Sequence, residues 1–333
     1  MASPFTVIYV EDAARSYEMT TRLLARYPSV PVISVRRYRD VFARPKQEFS
    51  WQKKNQALIL AVKEPPFLYP GPEVCQSFGA DSFVYTPFLM NCPFACDYCY
   101  LQGMYPSAHL TAFVNIEDYE QEISRHLAEH RNTSTLIAAS YDTDLLAFDA
   151  VFPYLDLLHP FLKDQSDLLF EVRTKSAATR FFERHAGDPG PFVAAFSLAP
   201  DTVIRTYEKK TPSLDARIHA LLTALDAGFP VRICLDPILI DPRFDREYET
   251  FFRYIFSKIP ADRILDVSHG FFRMNRTFFK RIRHDRPDVD LFQNEYPIQQ
   301  EVVTYEEEIQ QSIRDRHLII LSEYVSKERI FML

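Results

Sequence analysis

The chain has 333 residues, 47% of them hydrophobic, and a net charge of -7, which is ample apolar material for a core in one or two domains. That charge argues against wholesale coating of nucleic acid while leaving room for a local basic groove. No apolar run approaches transmembrane length, so no membrane partner is expected, and a count of only 7 glycines leaves no glycine-rich phosphate loop or dinucleotide fingerprint.

Residues 5–10 read as an apolar, β-rich strand followed by a helical pattern to about Arg26, and 30–35 and 57–62 read as two more strands. Together they predict a small N-terminal α/β domain over 1–75, closed by the proline-rich loop at 65–72. From residue 82 the pattern becomes regular. Strands are predicted over 82–88, 135–140, 168–173, 192–198, 231–236 and 264–269, with helical stretches such as 116–130 and 214–227 between them. Such alternation implies parallel βαβ units. The fold class is therefore α/β: a partial (β/α)6 barrel over 76–290, with 291–333 as a C-terminal extension. Functional groups of β/α barrels sit at the C-terminal ends of the strands.

Directly after the first barrel strand come Cys92, Cys96 and Cys99, spaced C-x3-C-x2-C. Three thiolates on one tight loop suit three irons of a [4Fe–4S] cluster. A structural zinc ion would want a fourth Cys or His from a nearby pair, and beyond His109 no such pair follows. The count of five cysteines is odd and no secretory leader is seen, so a reducing, cytoplasmic location is expected. Cys75 and Cys234 stand alone and are expected to be buried, inert thiols.

The cysteine triplet resembles the motif of the radical SAM superfamily, in which S-adenosylmethionine (SAM) chelates the fourth iron. The stretch Cys96-Asp-Tyr-Cys99-Tyr100-Leu101-Gln102 is more closely similar to the spore photoproduct lyase family. Phe113-Val-Asn115-Ile-Glu117, Val172-Arg-Thr-Lys175, Phe196-Ser197-Leu198, Lys210-Thr-Pro-Ser213-Leu-Asp215-Ala-Arg217 and Asp236-Pro237-Ile238 match the family in order, over roughly 82–290. The resemblance implies a lyase in which a 5′-deoxyadenosyl radical takes hydrogen from C6 of a thymine photoproduct in DNA, with an external one-electron reductant of flavodoxin or ferredoxin type. The alternative is an enzyme of the same scaffold acting on a different nucleobase lesion or a small molecule. By position, Thr143, Lys175, Ser197 and Asp236 match residues around SAM. Lys175 would pair with the SAM carboxylate. Asp236 stands where the family is usually apolar and is a candidate for the ribose hydroxyls.

Two departures from the family stand out. Its lyases carry a hydrogen-donating cysteine in the segment matching residues 139–144, which here contains none. Either Tyr141 takes that role, with Tyr98 and Tyr100 as relay, or Ser140 is an engineered serine in place of that cysteine. The family's aromatic, Arg- and Gly-rich C-terminal segment is also missing after Asn294. A DNA contact is instead expected on the helical run 275–286, where Arg273, Arg276, Lys280 and Arg283 share one face and Phe278, Phe279 and Ile282 the other.

Overall fold

The computed structural model describes residues 4–244 and 246–333. Its larger sheet contains the six expected strands, observed at Ser82–Tyr85, Thr135–Ala138, Leu168–Thr174, Phe192–Ser197, Val231–Ile238 and Asp266–Phe271. They lie side by side in chain order and all pair in parallel. Helices such as Ile116–Glu129 and Leu214–Asp226 make the crossovers. The sheet stays open, as a partial barrel. Tyr69–Pro70 adds antiparallel to its first strand and Ile330–Met332 parallel to its sixth.

Side chains alternate across each strand, and in the barrel the two faces differ sharply. Phe170, Val172, Ile233, Leu235 and Val267 are buried apolar side chains. Between them in sequence come Glu171, Arg173, Arg232, Cys234, Asp236, Asp266 and Ser268, which form a polar inner face. Arg232 is fully buried there and paired with both Asp266, at 2.5 Å, and Glu171. A buried charge is tolerable only when paired in this way. The segment after Tyr69–Pro70 packs against this inner face: the Phe78 ring lies 3.1 Å from the Arg232 guanidinium, and Arg273 Nε donates to the Val74 carbonyl at 2.7 Å.

The smaller sheet holds Ile8–Glu11, Val32–Val35 and Leu58–Ala61, as expected for the N-terminal unit, in parallel register. It continues through Leu110–Phe113 and Leu89–Met90. Leu58, Ile59, Leu60 and Ala61 are fully buried, the continuous apolar run of a strand covered on both faces. The boundaries expected at 75 and 290 are therefore crossed. Two strands flanking the cysteine loop belong to the N-terminal sheet, and the chain's last strand belongs to the barrel. A 3-stranded sheet of Arg273–Asn275, Val302–Thr304 and Ile298–Gln299 closes the C-terminal part. Its hairpin turns at Gln300 and Glu301, both at positive φ. Among the described residues no helix is long and apolar enough to cross a membrane.

Candidate active site

The cysteine loop lies between the two sheets at the C-terminal edge of the barrel. Ala95–Cys96 forms a short antiparallel ladder with Glu208–Lys209, which follows the fourth barrel strand. The Gln102 amide donates to the carbonyls of Cys96 and Asp97, both at 3.0 Å, and the half-buried Lys53 ammonium donates to that of Cys92. The helix Leu101–Met104 then packs against Arg276–Asp285 at Gly103, where a Cβ would meet Phe278 at 2.6 Å. Only glycine permits that approach.

Burial pushes the thiols of Cys92, Cys96 and Cys99 up, that of Cys92 to about 12, while Lys53 and Lys175 are the cations that oppose the shift. Thiolates are the form that binds metal, so loading the loop releases protons and places negative charge beside two ammonium groups. Three thiols carried on one loop are the donor type of a cluster ligated by cysteine sulfur.

Asp144 ties the second barrel strand to the third. Its carboxylate accepts from the Lys175 N–H at 2.7 Å, the Thr174 hydroxyl at 2.8 Å and the Ala147 N–H at 3.0 Å. Beside it the Ser140 hydroxyl, one Asp142 oxygen and the Thr143 hydroxyl are buried with no protein partner. Such orphaned groups at a strand end are what a polar ligand would satisfy. Lys175, at the end of the third strand, has its ammonium 3.8 Å from Glu208 and 5.7 Å from the centre of the Tyr98 ring. Glu208 also pairs with the fully buried Arg217 at 2.5 Å and accepts from the Tyr98 hydroxyl. Burial alone would raise the Glu208 carboxyl, but Lys175 and Arg217 hold it below the usual range. Ser197 is buried at the end of the fourth strand, where its carbonyl accepts from Arg217 at 3.1 Å.

Several expected roles change. Asp236 is gripped by Arg273 through two hydrogen bonds of 3.0 and 3.1 Å, with Arg173 3.9 Å away. Its carboxylate is thus already engaged, where a ribose contact was expected. Arg273 lies in a strand, turned towards the barrel, so it is not part of the helical stripe. Arg276 is occupied by Glu301 at 3.2 Å, which leaves Lys280 and Arg283 exposed. The helical period read from sequence ran one element too far. Tyr98 is committed to Glu208, whereas Tyr100 donates to the Tyr141 carbonyl. Tyr69, Tyr85, Tyr141 and Tyr100 form a chain of ring contacts with centroid spacings of 5.2, 4.4 and 5.4 Å.

Cys75, expected to be inert, is partly exposed. Its thiol interacts electrostatically with Arg273, Arg173 and Asp236 at the strand ends, and with the phenols of Tyr100 and Tyr141. Burial raises it, the two guanidinium groups opposing, so it remains an S–H group at neutral pH. The packing of its loop back onto the barrel brings it here, and no local motif signals that return.

A parallel partial barrel with a C-x3-C-x2-C loop at the catalytic edge of its first strand defines a radical SAM scaffold. The family model described as spore photoproduct lyase matches residues 5–312, and the chain belongs to that family. The spore photoproduct lyase of Bacillus subtilis (strain 168) is 23% identical over 308 residues, covering 89% of this chain and 84% of the relative. That of Clostridium acetobutylicum is 20% identical over 284 residues, covering 81% and 80%. A solved spore photoproduct lyase variant, cysteine to alanine, with a dinucleoside spore photoproduct has the same fold, with a TM-score of 0.81 at 18% identity and 99% of each chain covered. Another variant, with bound AdoMet and the dinucleoside, gives 0.80 at 18% identity with the same coverage. A solved cysteine-to-serine variant gives a TM-score of 0.81 at 18% identity, with 99% of each chain covered.

Proposed function

We propose that this chain is a spore photoproduct lyase acting on a thymine photoproduct in DNA. The observation that carries the reading is the family's three-thiol loop, partly buried at the catalytic edge of the family's fold. Cys92, Cys96 and Cys99 would hold a [4Fe–4S] cluster. Thr143, Lys175 and Ser197, with the orphaned Ser140 hydroxyl, would hold SAM. When bound, these groups supply a 5′-deoxyadenosyl radical, which takes hydrogen from the lesion.

The chain's own residues do the rest. Glu208 offsets one of the two cations Lys175 and Arg217, so the wall beside Cys96 keeps one positive charge, which Lys175 would offer to the SAM carboxylate. Cys75, and not Tyr141, returns a hydrogen to the repaired base: a thiol S–H gives up hydrogen more readily than a phenol and far more readily than the Ser140 hydroxyl. Tyr141 and Tyr100, within electrostatic range of Cys75, would return a hydrogen atom to its thiyl radical, and one electron from the external carrier with a solvent proton would restore the phenol. An external one-electron carrier supplies the electron.

The test is anaerobic reconstitution followed by incubation with SAM, dithionite and photoproduct-containing DNA. Loss of the photoproduct with recovery of two thymines is expected. Reductive SAM cleavage with no photoproduct loss would replace this reading with a different substrate on the same scaffold.

A further inference from the structure

The function above needs an electron to reach the cysteine loop, and one face of the molecule lies close behind that loop. The helix Phe49–Lys54 covers it there, with Lys53 on the Cys92 carbonyl. Next to it a cleft of about 160 Å³ is lined by Gln47, Phe49, Ser50, Gln102, Ile282 and Arg286. Gln102 is the residue whose amide holds the Cys96 carbonyl. A single layer of side chains therefore separates this surface from the cysteines.

Two independent features mark the face. Trp51, the only tryptophan of the chain, is 57% exposed on that helix. Large aromatics left in solvent are the usual anchors of protein interfaces. Around it the charge is one-sided in a chain of net -7. Arg44, Lys46, Lys54, Lys280 and Arg283 are exposed. Against them stand Glu48 and Asp285, the latter 4.0 Å from Arg281. Such a patch steers an acidic partner.

Resting on the cluster reading above, we infer that the face formed by Trp51, Lys46, Lys54, Lys280 and Arg283 docks an acidic one-electron carrier protein of the flavodoxin type. One electron leaves the carrier's flavin hydroquinone, which becomes the semiquinone, and enters the oxidised cluster through the layer of Lys53 and Gln102. Nucleic acid is the other polyanion such a patch would attract. The geometry favours the carrier, because this face lies behind the loop while Cys75, Tyr141 and Lys175 open on the barrel side, where a lesion must bind.

The test uses the cluster-loaded enzyme and a flavodoxin. Binding is measured by titration at low and high salt, and cluster reduction by stopped-flow absorbance with flavodoxin hydroquinone and, separately, with dithionite. Lys46→Glu/Lys54→Glu and Trp51→Ala are expected to weaken flavodoxin binding at least tenfold and to slow reduction by the carrier in proportion. Reduction by dithionite stays at the wild-type rate. Lys280→Glu/Arg283→Glu reads the same face from the other helix, should the first pair disturb cluster loading. Unchanged flavodoxin affinity in both charge-reversal pairs overturns the inference. So does displacement of bound flavodoxin by undamaged duplex DNA. Failure of dithionite to drive SAM cleavage in the wild type would instead overturn the cluster reading itself.

Discussion

Asp142→Asn removes a carboxyl that the fold holds neutral beside the reactive end of the second barrel strand. Asp142 is 2% exposed, and burial lifts it from 3.8 to about 7, against a hydrogen bond from Tyr105 and the charge of Lys63. With each tenfold change in a protonation constant worth about 1.4 kcal/mol, the lift corresponds to roughly 4 kcal/mol between the neutral and ionised forms in the fold. The folded value lies above the unfolded one. The stability of the neutral acid is thus fully present below about pH 4 and is lost as pH rises through about 7. The stability of the wild type minus that of Asp142→Asn should therefore fall by about 1.4 kcal/mol per pH unit across that window and level off above it. Other groups that titrate there, His109 among them, pulled down to about 4 by burial, act in both proteins and drop out of the difference. Urea unfolding of the two apoproteins, reduced and anaerobic, at closely spaced pH values measures it. Parallel stability profiles would refute the reasoning and show that water or a counter-charge reaches Asp142.

Cys75→Ser should abolish clean repair and let the substrate radical escape to side products, whereas Tyr141→Phe slows re-reduction but leaves first-turnover products clean. In D2O, wild-type product should carry solvent deuterium from the thiol, and persistence of that label in Cys75→Ser would remove Cys75 from the mechanism. Lys175→Ala should weaken SAM binding roughly tenfold to hundredfold, the loss of one charge-assisted bond of about 1.5–3 kcal/mol; unchanged affinity by calorimetry would show that Lys175 serves Glu208 alone. Gly103→Ala forces a methyl against the backbone and Cβ of Phe278 and should cost about 1–3 kcal/mol, read as a lower unfolding temperature that Phe278→Ala, which keeps those atoms, does not rescue. An unaltered unfolding temperature would mean that the two helices part without cost.

The cysteine loop and the six barrel strands were legible in the chain because both are local signals. Ligand spacing over eight residues is fixed by one loop, and each strand announces itself by its own apolar, β-branched run. Parallel order followed from the helices between them. Tertiary structure decided what depends on distant segments meeting. Cys75 reaches the site because its loop packs back onto the inner face of the barrel. Arg273 leaves the basic stripe because Asp236, 37 residues earlier, offers it a buried carboxylate, and pairing a buried charge outweighs a helical period. Leu110–Phe113 joins the N-terminal sheet because its fully covered apolar run finds its partner in Leu58–Ala61. Sequence by itself determined which chemistry the chain carries; packing determined which side chains stand around it.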